Sequence, residues 1–194
     1  MPIGAASAPG ARHGEEPPSP WIQRFCGLAA EGGSVLDVAC GHGRHARWFG
    51  SLGHRVLAVD RSAEALASLS GVAGVETLCA DIEGQPWPLP GRTFDAVVVT
   101  NYLWRPLMPA IIASLASGGV LLYETFATGQ ETIGKPSRPD FLLNSGELLH
   151  ACAGLRIVAY EDGYGGTPER FVQRIAAVRK DQPLQGNPPV RYRV

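Results

Sequence analysis

"VLDVACGHGRHARWFGSLGHRVLAVD", residues 35–60, decides the fold. An apolar run carries one acid, Asp37, and is left through two glycines one residue apart, Gly41 and Gly43. A helix-like segment follows, and a second apolar run closes on a lone aspartate, Asp60. Strand, glycine turn, helix, strand and acid in that order predict a nucleotide-type binding loop at the carboxyl end of a parallel sheet. The question the stretch raises is which cofactor it serves.

Outward from it, strand-length apolar runs at 35–39, 55–59, 76–79, 94–100 and 120–124 alternate with helical patterns at 45–52, 63–69 and 109–116. Ser62 caps the second helix, and Gly118 and Gly119 end the third. Such alternation means a parallel sheet with crossover helices. A further helix is expected at 145–152. The last two runs, 156–161 and 171–178, are separated by "DGYGGTPER", which is too short for a crossover helix and predicts an antiparallel hairpin. The expected fold class is therefore α/β: a Rossmann-like, seven-stranded, mostly parallel sheet with helices on both faces and a C-terminal antiparallel hairpin. Ser19, Pro20 and Trp21 open an amphipathic helix in which Trp21, Phe25 and Leu28 share one face, and Gly32 and Gly33 stop it. Residues 1–18 and 181–194 read as tails too poor in large apolar residues to order themselves, leaving 19–180 as the domain.

A chain of 194 residues suits one domain with its own core. A formal charge of -1 provides no field for gripping a phosphate backbone, and no local basic patch replaces it, so nucleic acid is not an expected partner. Cys26, Cys40, Cys79 and Cys152 are scattered without a C-x-x-C pair and read as reduced thiols. No apolar run approaches the ~20 residues that span a bilayer, and the N-terminus lacks a signal-type apolar segment. The expectation is a cytoplasmic protein, away from membranes, whose partners are small molecules. Nothing in the sequence selects between a monomer and a homodimer.

The spacing from Gly41 through Gly43 to Ala46 satisfies G-x-G-x-x-A, a dinucleotide fingerprint, and Asp60 lies where a ribose-binding acid is expected. S-adenosylmethionine would use the same glycine freedom and the same acid. Three features favour it. Asp37 sits inside the first strand, where a carboxylate can orient the loop and hold the ammonium of a methionine moiety. Asp81 ends the third strand and is followed by Ile82, able to accept from an adenine amino group and flank its ring. After the fifth strand there is little chain left for the substrate region of a nicotinamide enzyme. A non-catalytic S-adenosylmethionine-binding protein and an NAD(P)-dependent oxidoreductase stay as alternatives.

These residues resemble the class I S-adenosylmethionine-dependent methyltransferases: "VLDVACGHGR" looks like their first motif, "VLAVD" the second, "CADIE" the third, and "FDAVVVTNYL" the strand ending at the methyl-acceptor site. Within the class, "SPWIQRF", "NYLWRPLMPA", "LLYETFA" and "GKPSRPDFLLNSGELL" look like the small bacterial methyltransferases labelled tellurite-resistance or TehB-like. The resemblance implies that Asp37, Ala39, Cys40, Gly41 and Gly43 line the methionine side of the cofactor. Asp60 would stand at the ribose, Asp81 and Ile82 at the adenine, and Asn101 and Tyr102 at the sulfonium, with Arg61 a further cofactor-binding residue.

Methyl transfer from a sulfonium is an in-line displacement on an activated carbon, so alignment and exclusion of water are the protein's main tasks. A small-molecule acceptor is expected over the ends of the fourth and fifth strands, with Trp104, Arg105, Glu124, Lys135 and Arg138 as candidate contacts. The three basic residues suggest a rim for an anionic acceptor or a soft nucleophile, and the loop 126–143 reads as a lid with Gly129 and Gly134 as hinges. The N-P-P-Y motif of enzymes that methylate DNA amino groups does not follow Asn101. Cys40, His42 and His45 are ligand-type residues close together, but a tight helix-initiating loop splays such neighbours and the glycine-loop reading accounts for them, so no metal is assigned. No general base is assigned either.

Overall fold

Strand β1 (Ser34–Val38) is buried on both sides from its second residue on, Asp37 included, which puts it inside a sheet covered on both faces. The computed structural model describes residues 16–180 and 191–192. In it β1 pairs in parallel with β2 (Arg55–Asp60) and β4 (Phe94–Thr100). Beyond β2 lies β3 (Val75–Cys79), and beyond β4 lies β5 (Leu115–Phe126). The hairpin β6 (Arg156–Gly165) and β7 (Arg170–Val178) completes a seven-stranded sheet in the order β3-β2-β1-β4-β5-β7-β6, with β7 antiparallel to β5.

Period-2 alternation sorts the strand side chains into two cores. Leu36, Val38, Val97, Val99, Leu121 and Tyr123 face one side, where α4 (Met108–Ala113) contributes Ile111 and α5 (Glu147–Ala151) contributes Leu148. Val35, Ala58, Ala96, Val98 and Leu122 face the other, under α1 (Pro20–Phe25), α2 (Arg44–Ser51) and α3 (Ala63–Ala67). The expected fold class is the observed one, with helices on both faces.

Local chemistry explains the helix starts. Ser19 Oγ accepts from the Trp21 amide at 3.2 Å with Pro20 in the first turn, and Ser62 Oγ accepts from the Ala65 amide at 3.1 Å. Trp21 Nε1 donates to the Ile175 carbonyl at 3.3 Å, tying α1 to β7.

Two elements differ from expectation. The helix expected to run to residue 116 ends at Ala113, and β5 starts at Leu115. Gly118 and Gly119 lie inside that strand, where register shifts between Phe94 and Ala96, and a Cβ on Gly119 would come within 2.7 Å of the Phe94 carbonyl oxygen. The glycines permit an irregular close approach and do not stop a helix. The hairpin is also longer than expected, because Tyr164 and Gly165 continue the ladder opposite Phe171 and Arg170. The segment 1–15, most of the expected N-terminal tail, and residues 181–190 and 193–194 of the C-terminal one lie outside the described residues.

Candidate functional site

The site is built at the carboxyl ends of β1, β2 and β4. Where β1 stops, Ala39 takes φ +53°, Gly41 +54° and Gly43 +74°. The left-handed region costs a residue with a Cβ of order 1–3 kcal/mol, so the strain at Ala39 marks the loop as held in place by its surroundings. A Cβ on Gly43 would lie 2.5 Å from Leu69, whereas one on Gly41 would meet nothing within 4 Å and would project into the open side of the loop. Gly43 is therefore required by packing, and Gly41 by conformation and by the space it leaves.

Asp60 fastens this loop. Its Oδ2 accepts from the Gly41 amide and its Oδ1 from the Ser62 amide, both at 2.8 Å, so the acid joins the glycine loop to the start of α3. Each oxygen keeps acceptor capacity toward the cleft. Asp37 lies on the α2 side of β1, 1% exposed, and its Oδ2 has no hydrogen-bond partner. Burial pushes its pKa up to about 7, against the pull of the Ala46 amide and the Arg44 guanidinium. A buried carboxylate oxygen without a partner is costly, and a cation supplied by a ligand removes that cost. Cys40, whose thiol burial holds well above the ordinary range, is an inert wall residue.

His45 belongs to the scaffold. The Ser19 amide donates to its Nε2 at 3.1 Å, so the ring is neutral with the proton on Nδ1, which lies 3.3 Å from Thr100 Oγ1. Burial, then the charge of Arg44, lowers its pKa to about 3. The ring thus ties the start of α1 to α2 and β4.

Beside the loop is a cleft of about 190 Å³ lined by Ala39, Asp60, Arg61, Asp81, Ile82 and Tyr102, with Glu83 at one side. Asp81 Oδ1 accepts from the Glu83 and Gly84 amides, both at 3.0 Å, and these bonds hold its carboxyl below the usual range. It is thus a turn-forming acid and a wall of the cleft at once. The Tyr102 hydroxyl makes no short hydrogen bond and stands beside the Glu83 carboxylate. Tyr102 is placed from behind: the buried Tyr123 hydroxyl donates to its carbonyl at 2.9 Å. Asn101, next to it, takes φ +53°, and its amide donates to the Glu124 carbonyl at 2.9 Å.

Glu83 and Tyr102 also line a second pocket of about 250 Å³, so the two cavities share a wall. Its other polar residues are Asn101 and Thr125, and its apolar ones are Leu103, Phe126, Pro136 and Phe141. Sequence reasoning missed Glu83, Thr125, Phe126, Pro136 and Phe141. The signal was present, since Glu83 follows Asp81 and Ile82, and Pro136 and Phe141 flank the basic residues that drew attention.

The three basic residues lie outside the lining of that second pocket. Arg105 Nε and Nη2 grip the Glu147 carboxylate at 2.7 and 2.9 Å, while Nη1 and Nη2 donate to the Asp140 and Leu142 carbonyls at 2.9 and 2.7 Å. This fork is spent on pinning the loop 126–143 to α5. Arg138 pairs with Asp140 at 2.7 Å and lies over the Phe141 ring, outside the pocket wall. Lys135 is exposed and is not part of that wall either. Trp104 packs against the core. Glu124 is fully buried on the opposite face of the sheet from Tyr123, paired with Arg170 at 3.2 Å and Arg174 at 2.5 Å. None of the five candidate acceptor contacts lines the pocket. As for the expected hinges, a Cβ on Gly129 would strike the Phe171 ring at 2.7 Å, so that glycine serves close packing.

Residues 35–119 match the sequence profile of the methyltransferase domain family. Among solved structures the fold is similar to an S-adenosylmethionine-dependent methyltransferase from Mesorhizobium loti (TM-score 0.64, 18% identity, 81% of this chain and 96% of that one). It is also similar to the N-methyltransferase NodS from Bradyrhizobium japonicum (0.63, 14%, 84% and 99%). TehB from Haemophilus influenzae matches at TM-score 0.63 and 21% identity over 76% of this chain, which spans 58% of that protein. No curated protein matches the sequence significantly. The sheet agrees with the methyltransferase match against the dinucleotide reading, since a dinucleotide fold runs 3-2-1-4-5-6 and here an antiparallel β7 separates β5 from β6. Glycine loop, strand-end acids and sheet order agree with the domain match: residues 35–119 are similar to the methyltransferase domain family, and the fold is the one seen in solved S-adenosylmethionine-dependent methyltransferases.

Proposed function

We propose that this protein transfers the methyl group of S-adenosylmethionine to a small molecule held in the pocket under Phe141. One observation carries the reading: the cofactor cleft and that pocket meet at Tyr102 and Glu83, at the end of β4, where a reactive methyl and its acceptor must face each other. In this reading Asp37 holds the ammonium of the methionine moiety, which lies along Ala39, Cys40, Gly41 and Gly43. Asp60 accepts from the ribose hydroxyls beside Arg61, and Asp81 and Ile82 receive the adenine. Asn101 and Tyr102 border the methyl.

Bound there, S-adenosylmethionine supplies a carbon already activated by a positive sulfur. The protein's part is to align that carbon with the acceptor and to keep water away. Tyr123 fixes Tyr102, and the Arg105–Glu147 clamp holds Phe141 and Pro136 over the pocket, so the alignment is built in before ligands arrive. Three of the four short stretches similar to TehB-like proteins, 101–110, 121–127 and 134–149, fall in these same segments. Among the described residues no helix is long and apolar enough to cross a membrane, and all four thiols are free. That state suits the reducing cytoplasm, where we place the protein.

Purified protein titrated with S-adenosylhomocysteine and NADH tests the cofactor assignment, with the homocysteine nucleoside binding and NADH not. Binding followed by transfer of labelled methyl to a pocket-sized acceptor is the expected result. Failure of S-adenosylhomocysteine to bind would overturn the reading, and binding without transfer to any acceptor would favour a regulatory binding protein.

A further inference from the structure

The second pocket has a definite chemistry. Among the described residues Glu83 is its only charged lining residue, and Tyr102, Phe126 and Phe141 bring three aromatic residues to the same walls. The nearby cations are committed elsewhere: Arg105 to Glu147 and two carbonyls, and Arg138 to Asp140. Arg61 lines the cofactor cleft and is not part of this wall. An oxyanion or thiolate brought here would lie against Glu83 with no counter-charge in the lining. An ammonium would meet an acidic residue among aromatic ones, the combination that recognises organic cations. The volume of about 250 Å³ lies below the range of roughly 300–1,000 Å³ usual for drug-sized ligands.

Resting on the reading that this pocket holds the methyl acceptor, we propose that the acceptor is a small amine on an apolar or aromatic body, recognised by Glu83, and not an oxyanion. The amine enters as the ammonium and gives up one proton to Glu83 or to water. Its nitrogen lone pair then forms the new N–C bond as the C–S bond breaks, with the bonding electrons staying on sulfur. The product amine has gained one methyl group, and the cofactor has become neutral S-adenosylhomocysteine. Thr125 and Asn101 add neutral polar contacts at the same wall.

The test compares benzylamine with benzoate, which share a ring and differ in charge, on protein saturated with S-adenosylhomocysteine. Benzylamine should bind at least about tenfold more tightly, the share of one charge-assisted hydrogen bond, and Glu83→Gln should remove that preference. Because Glu83 also borders the cofactor cleft, S-adenosylhomocysteine affinity of Glu83→Gln is measured separately and the amine comparison is made at saturation of that variant. Preference for benzoate, equal binding, binding of neither, or a preference that survives Glu83→Gln would overturn the proposal. If wild-type protein fails to bind S-adenosylhomocysteine at all, it is the methyltransferase reading that fails.

Discussion

Replacing Asp37 by asparagine separates the cost of the site from its use. In the ligand-free protein the buried carboxyl is shifted from 3.8 to about 7. At about 1.4 kcal/mol per unit this amounts to roughly 4 kcal/mol of folding free energy lost once the group is ionised, an upper bound because the amide must itself be accommodated. The raised pKa means that the native state holds a proton that the unfolded chain releases, so stability falls as pH rises from about 4 to about 7. His45 works in the opposite sense, since its pKa is lowered to about 3 and its contribution to stability grows as pH rises through the same range. The wild-type profile is thus partly cancelled, and the difference between variant and wild type isolates Asp37. Asp37→Asn should stabilise the ligand-free protein by at most about 2 kcal/mol at pH 5 and at most about 4 at pH 8, with the gain larger at the higher pH. For a domain of this size that is a gain in Tm up to about 4–8 °C larger at pH 8 than at pH 5. The same variant should bind S-adenosylhomocysteine roughly 10–100-fold more weakly, because a charge-assisted bond to the ammonium is lost. Differential scanning calorimetry across pH, with and without ligand, measures both effects. A stabilisation independent of pH, or unchanged ligand affinity, would refute the reasoning.

Asp60→Ala should weaken S-adenosylhomocysteine binding by about tenfold or more and also lower Tm, since the Gly41 and Ser62 amides lose their acceptor; isothermal titration and a melting curve read the two effects. Arg105→Gln should leave cofactor affinity nearly unchanged while freeing the loop 126–143, seen as faster proteolytic cleavage there and a raised acceptor KM. Gly129→Ala, placed at φ +108° against the Phe171 ring, should cost about 2 kcal/mol or more in chemical denaturation. His45→Gln should flatten the acid side of the stability profile below pH 6.5, where the wild-type ring is held neutral against its tendency to protonate.

The sheet was legible because its signals are local. Alternating runs, a glycine turn and strand-end acids each act within a few residues, and together they specify parallel strands with crossovers. The start of β5 was not, because Gly118 and Gly119 carry the same residue signature whether they end a helix or accommodate a bulge against Phe94, and only the neighbouring strand distinguishes the two. The site divided along the same line. Asp37, Asp60 and Asp81 could be placed by their strand positions alone. Arg105 could not, because its fork is saturated by Glu147, 42 residues away in sequence, and by two loop carbonyls. Glu124 lies apart from the pocket for another reason: one step of strand alternation puts it on the face away from Tyr123 and into an ion pair with β7. The pocket walls Phe126, Pro136 and Phe141 come from a loop without periodicity, and such residues announce themselves only when the loop is folded back.

The most direct test of the central claim is a crystal structure of the complex with S-adenosylhomocysteine. The account predicts the ribose hydroxyls on Asp60, the adenine beside Ile82 and Asp81, the α-amino group on the free Oδ2 of Asp37, and the sulfur directed between Asn101 and Tyr102 toward the pocket under Phe141. A ligand bound elsewhere, or one whose amino group leaves Asp37 without a partner, would contradict it.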